Sequence, residues 1–161
     1  MCIRDRVKEV GFGRQSVAIT LENCYDDWCM SILAKELNKE EDYQYYLKRA
    51  LNYQNVFDTA TGFMRPKTAD GRWIEPFDPI WSGGQGGREF YTENNGWNYT
   101  WYVPHDVEGL IGLMGGREKF TDKLQTMFET NVPLYQKYDF LKQYPDMTGW
   151  IGMYSHGNEI T

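Results

Sequence analysis

The feature that most constrains this chain is the spacing of its apolar residues between Ser16 and Leu37. Val17, Leu21, Cys24, Tyr25, Trp28, Ile32, Leu33 and Leu37 follow one another mostly at steps of three and four. That period places them on one face of an α-helix, since a strand would alternate at every residue. Asn38 follows, with Glu41 three residues on, the arrangement of a capping box that opens a second helix. Tyr43, Tyr46, Leu47, Ala50 and Leu51 form the inward stripe of that helix. A link this short makes the pair an antiparallel hairpin.

A long irregular stretch follows, from about Phe57 to Asn95. Phe63-Met64-Arg65 and Arg72-Trp73-Ile74 flank Asp70-Gly71, the pattern of a small β-hairpin. Pro76, Pro79 and the run Ser82-Gly83-Gly84-Gln85-Gly86-Gly87 then break regular structure. Trp73, Phe77, Trp81, Phe90 and Tyr91 stud this loop, and so many rings argue against disorder. A loop of this length in a compact domain is usually functional. Helix resumes over Trp97–Tyr102, stops at Pro104, and runs again from about Asp106 to Met114, with Gly115-Gly116 as its terminator. Phe120, Leu124, Met127 and Phe128 mark a further helix. The tail beyond it is looser, and neither a repeat nor a parallel-sheet pattern is present.

Composition narrows the function classes. With 17 Lys+Arg against 23 Asp+Glu the net charge is −6, which disfavours nucleic acid as a partner. No apolar run is long enough to span a membrane. Aromatics make up 16% of the residues, including six Trp and twelve Tyr; such rings suit sugars, but they equally suit cores and interfaces. Cys24 and Cys29, five apart on one helix, point about 140° from each other, so they read as buried free thiols and not as a disulfide. The opening Met1-Cys2-Ile3-Arg4-Asp5-Arg6 fits nothing that follows and reads as a non-native leader.

Nucleotide and acyl-transfer chemistry find little support. The glycine run at 82–87 lacks the Gly-Lys-Ser/Thr ending of a phosphate loop. His105 and His156 are the only histidines, and no serine or cysteine stands in a nucleophile context. Carboxylates remain. Asp26 and Asp27 lie between Tyr25 and Trp28, one of them facing inward, a placement that suits anchoring more than catalysis. Asp106 reads as a helix cap. Glu93 differs, because Tyr91-Thr92-Glu93-Asn94-Asn95-Gly96-Trp97-Asn98-Tyr99 surrounds it with rings and amides. An acid among aromatic faces has its charged form disfavoured, so it can hold the proton that a departing glycosidic oxygen needs. Spacing alone leaves a structural role equally open.

Five ordered motifs carry a resemblance. They are Tyr25-Asp26-Asp27-Trp28, Thr61-Gly62-Phe63-Met64-Arg65, Glu75-Pro76-Phe77-Asp78-Pro79, Trp101-Tyr102-Val103-Pro104-His105-Asp106 and His156-Gly157-Asn158-Glu159. Together they resemble glycoside hydrolase family 92, the calcium-dependent exo-acting α-mannosidases. The resemblance implies an all-α fold, with residues 7–161 a slice of an (α/α)6 catalytic barrel truncated at both ends. It also implies an inverting exo-mannosidase acting on terminal α-mannosides of N-glycans or mannans, and a secreted, periplasmic or cell-surface location.

The family's general acid stands in Glu-Gly-Asn-x-Trp-Gln-Tyr, matched here by Glu93-Asn94-Asn95-Gly96-Trp97-Asn98-Tyr99, with Asn94 for Gly and Asn98 for Gln. By the same resemblance Trp97, His156, Asn158 and Glu159 are substrate-binding, and Asn158, where α-1,2-specific members resemble each other in having His, leans toward another linkage. The catalytic base and most of the calcium shell are implied downstream of Glu159, so this stretch alone is expected to be inactive. A non-catalytic carbohydrate-binding helical protein, or a helical-toroid glycosidase of other sugar specificity, stands as the alternative.

Overall fold

The computed structural model describes residues 15–80, 90–92, 94–133, 142–146 and 148–150. Helix α1 (Ser16–Glu36) and helix α2 (Glu40–Ala50) form the antiparallel hairpin, and a 3-10 turn over Leu51–Asn55 continues α2. Short strands β1 (Phe57–Asp58) and β2 (Phe63–Met64) pair antiparallel, Phe57 against Met64 and Asp58 against Phe63. A single turn α3 (Gly96–Tyr99), helix α4 (Val107–Leu113) and helix α5 (Arg117–Glu129) follow. Strands β3 (Asn131–Pro133) and β4 (Thr148–Trp150) form a second antiparallel pair. The described structure is mostly helical, and none of its helices is long and apolar enough to cross a membrane.

The hairpin turns on Asn38, whose φ of 55° is left-handed. The Lys39 amide donates to the Ala34 carbonyl and the Asn38 amide to the Lys35 carbonyl, the paired bonds that close a helix C-terminus. Asn38 therefore ends α1 and does not cap α2 as the sequence suggested. Lys39 occupies the cap position without a side-chain bond, and Glu40, Glu41 and Asp42 supply the negative charge that the first turn favours.

The buried face of α1 is Val17, Ala18, Leu21, Cys24, Asp27, Ser31 and Ala34. It drifts away from the apolar stripe toward the carboxyl end, where Ile32, Leu33 and Leu37 are exposed. On the buried face Asp27 Oδ2 accepts from Arg49 Nε of α2 at 2.9 Å, and the small residues Ser31 and Ala34 lie buried. On α2 only Ala50 is fully buried, while Leu51 lies exposed. Cys24 is buried, its thiol pushed by that burial up to about 11, whereas Cys29 is exposed and so departs from the expected pair of buried thiols.

The main core joins α1 to the rest of the chain. Val17, Leu21, Cys24, Tyr53, Phe57, Met64, Tyr91, Val103, Leu110 and Met114 form one buried cluster. Phe90 fastens the start of α1, its carbonyl accepting from the Val17 and Ala18 amides at 3.0 and 3.2 Å. Asp106 caps α4 as expected, accepting from the Gly109 amide at 3.0 Å and from the Tyr53 hydroxyl at 2.7 Å. Gly115 and Gly116 then end α4 at positive φ, with amides bonded to the Gly112 and Ile111 carbonyls.

The predicted hairpin around Asp70-Gly71 exists only as a tight turn with a bridge between Lys67 and Trp73. Phe63 and Met64 pair with Phe57 and Asp58 instead of with residues 72–74. The reason is Asp58, whose carboxylate accepts from the Ala60 amide and the Thr61 hydroxyl and so organises the nearer turn.

Candidate functional site

The residues flanking Glu93 rest on three anchored supports. Tyr91 is buried, and its hydroxyl donates to the Met64 carbonyl at 2.6 Å. Asn95 is fully buried and caps α3, its side-chain oxygen accepting from the Asn98 amide at 3.2 Å. Thr100, also fully buried, donates to the Gly96 carbonyl and accepts from the Met64 amide. Met64 thus binds both sides of the segment, through its carbonyl to Tyr91 and through its amide to Thr100. Gly96 is closely packed: a Cβ there would lie 3.2 Å from both the Pro79 carbonyl and the Tyr91 hydroxyl, so one of them would have to give way slightly.

Arg65 is the electrostatic centre beneath this platform. It is buried, donating to Asp58 at 2.7 Å and to Glu75 at 2.6 Å, with a further bond to the Ile74 carbonyl at 3.0 Å. Its guanidinium also lies 4.4 Å from the Phe77 ring centroid. Burial would raise Asp58, but Arg65, the Ala60 amide and the Thr61 hydroxyl outweigh it and hold the carboxyl below the usual aspartate range. The buried pair fixes the β1–β2 turn against residues 74–77, and Phe77 in turn packs edge-on to Phe63 at 5.9 Å.

Trp97 sits on the other side of Phe63, with ring centroids 4.8 Å apart at 82°. It is 8% exposed, and that remaining surface helps line a cleft of about 470 Å³ with Thr59, Thr61, Lys119, Asp122 and Lys123. Its indole nitrogen is buried, without a hydrogen-bond partner among the described residues. Lys123 reaches over both rings from α5, and burial pushes its pKa down to about 8.

Of the residues singled out in the sequence, the structure describes Trp97 but not Glu93, His156, Asn158 or Glu159, which lie outside the described residues. Among the described residues no group of three or more His, Cys, Asp or Glu could hold a metal ion. His105 belongs to the core side of α1: its Nε2 lies 2.9 Å from the Ala50 carbonyl, among the rings of Tyr25, Trp28 and Tyr53. Arg65 and Lys123 went unread in the sequence. Arg65 alone left a signal, as a charge inside the apolar run Phe63-Met64-Arg65-Pro66.

The chain is similar to known proteins. The profile of the glycosyl hydrolase family 92 catalytic domain matches residues 5–161. An uncharacterized secreted glycosidase of Arthroderma benhamiae is 33% identical, over 76% of this chain and 18% of that protein. Among solved structures, a family GH92 α-mannosidase of Bacteroides thetaiotaomicron in complex with mannoimidazole superposes with a TM-score of 0.73 at 39% identity, covering 91% of this chain and 19% of its own. A family GH92 inverting mannosidase of the same bacterium gives 0.64 at 39% identity, with 77% and 16% covered. The chain therefore spans less than a fifth of the length of each of these relatives.

Proposed function

This chain belongs to glycosyl hydrolase family 92, and on that premise we propose that it supplies the acid side of the active site of an inverting exo-α-mannosidase. The substrates are terminal α-mannosides of N-glycans or mannans. Glu93 is the general acid, protonating the leaving glycosidic oxygen as the anomeric bond breaks. A second carboxylate activates water on the opposite ring face, and inversion requires it about 6.5–9.5 Å from the acid. By resemblance that base is supplied from beyond Glu159.

One observation carries the reading beyond the family match. Tyr91 and Asn95, two places before and after Glu93, are both buried and hydrogen-bonded, so the acid's neighbours are held by the core. Proton donation depends on placing the acid within hydrogen-bond reach of the leaving oxygen, and a tethered loop favours that placement. Trp97 offers its remaining edge to the substrate and His156 also binds it, while Asn158 and Glu159 contact sugar on the leaving-group side. Calcium would bind sugar hydroxyls and assist ring distortion. Such a cation takes about six to eight oxygen ligands; the described residues do not assemble them, and no step here passes through it.

The test is the stereochemistry of the full-length protein that carries this sequence. Proton NMR of the first product from α-mannobiosides should show β-mannose ahead of mutarotation. Release of α-mannose first, or no release from any linkage, would contradict the proposal.

A further inference from the structure

An ammonium group taken partly out of water needs a compensating partner, usually a carboxylate. Lys123 has none among the described residues: the ion pairs there involve Arg49, Arg65, Arg72 and Arg117. Asp122, which lines the same cleft, belongs to none of those pairs, and the other charged neighbour there, Lys119, is itself a cation. The Nζ of Lys123 lies instead 3.3 Å from the ring centroid of Phe63 and 4.7 Å from that of Trp97. Cations over aromatic faces are attracted by the ring quadrupole, most strongly where water is excluded. With a pKa of about 8 the group still carries its charge at neutral pH.

Trp97 receives such a contact. Among the described residues its buried indole N–H meets no acceptor, so no hydrogen bond there sets the rotation of the ring. The edge-on contact with Phe63, the buried cluster that the two rings share with Met127, and the ammonium of Lys123 hold it instead. Trp97 lies in α3, four places after Glu93 and two after the buried cap Asn95.

We propose that Lys123 is a positioning residue for the general acid: clamped over Phe63 and Trp97, its ammonium fixes the indole and, through α3, the chain that carries Glu93. Lys123 itself touches no reacting atom. This rests on the reading of Glu93 as the acid.

The experiment uses the full-length enzyme with Lys123→Met, which keeps the apolar stem, and Lys123→Arg, which keeps the cation. Each is assayed beside Glu93→Gln on an unactivated mannobioside and on an aryl mannoside with an acidic leaving group. A misplaced acid should lower kcat on the mannobioside by roughly ten- to a hundredfold. The aryl mannoside should be affected much less, with KM little changed on either substrate. Lys123→Arg should restore most of the loss. Equal losses on both substrates would mean that Lys123 only packs the fold, and no loss would remove any role; either overturns the proposal. If Lys123→Met does not fold, Lys123→Gln is read by the same comparison. Should Glu93→Gln show the leaving-group pattern while the Lys123 variants do not, the proposal fails and the acid assignment stands. If Glu93→Gln lacks the pattern too, the acid assignment is what fails.

Discussion

The Tyr91 hydroxyl donates a 2.6 Å hydrogen bond to the carbonyl oxygen of Met64, 27 residues earlier in the chain. Both residues are buried, so the bond is shielded from water and ties the strand β2 to the segment that leads into Glu93. Desolvation pushes the Tyr91 phenol well above its usual pKa, which keeps the hydroxyl a donor throughout the working range.

Tyr91→Phe deletes that donor and leaves the Met64 carbonyl buried and unpaired. The expected loss is about 1–3 kcal/mol, the cost of stranding one polar group. Denaturant midpoints of the full-length protein, or faster amide exchange over residues 95–100, would register it. An unchanged midpoint and unchanged exchange would show that the bond does not anchor the segment.

Two glycines of α4 should respond to alanine with opposite signs. At Gly109 a Cβ would collide with the Asp106 carboxylate and the Tyr53 hydroxyl. The overpacking cost of about 1–3 kcal/mol, together with damage to the cap, outweighs the gain of about 1 kcal/mol in helix propensity. At Gly112 a Cβ would meet nothing within 4 Å. Gly112→Ala should therefore stabilise by up to about 1 kcal/mol. Melting of the two variants side by side checks both signs.

Arg65 should be the costliest single charge to remove. Arg65→Met leaves Asp58 buried without its cation, a loss of about 3–5 kcal/mol for a broken buried pair. The double variant Arg65→Met/Asp58→Asn buries no charge and should recover part of that loss. A double variant no better than the single would mean that the stacking of Arg65 on Phe77, at 4.4 Å, matters more than its ion pair.

Stability should slope with pH at both ends of the range. Asp58 has a folded pKa below its unfolded value, so the unfolded chain binds more protons as pH falls. Its contribution is complete above about pH 4 and is lost as pH drops through the folded pKa. Lys123 titrates near 8 when folded against 10.5 as a free side chain. Here too the unfolded chain holds the extra proton, so stability rises with pH between those values. Lys123→Met should flatten the alkaline slope and leave the acid one unchanged.

Much of the helical frame could be read from the sequence because its signals are local. The period over 16–37, the cap at Asp106 and the paired glycines after Met114 each act within one or two turns. The faces were harder. Nothing local shows that Arg49 reaches Asp27 or that Ile32 and Leu33 stay exposed. Nor does a local pattern pair residues 131–133 with 148–150, since such a register is set by contacts distant in sequence. At the site, the rings and amides around Glu93 suggest an acid, and the role proposed for it rests on the ordered motifs, since Glu93 itself lies outside the described residues. Lys123 was unreadable there, because a lysine on an exposed-looking helix gains its part only when Phe63 and Trp97 are folded beneath it.

The most direct measurement is the leaving-group dependence of Glu93→Gln in the full-length enzyme. Proton donation matters most when the departing oxygen is basic. With Glu93 as the proton donor, kcat falls by about a hundredfold or more on mannobiosides and much less on an aryl mannoside with an acidic leaving group. Equal falls on the two substrates would contradict the account and make Glu93 a residue that holds sugar without donating the proton.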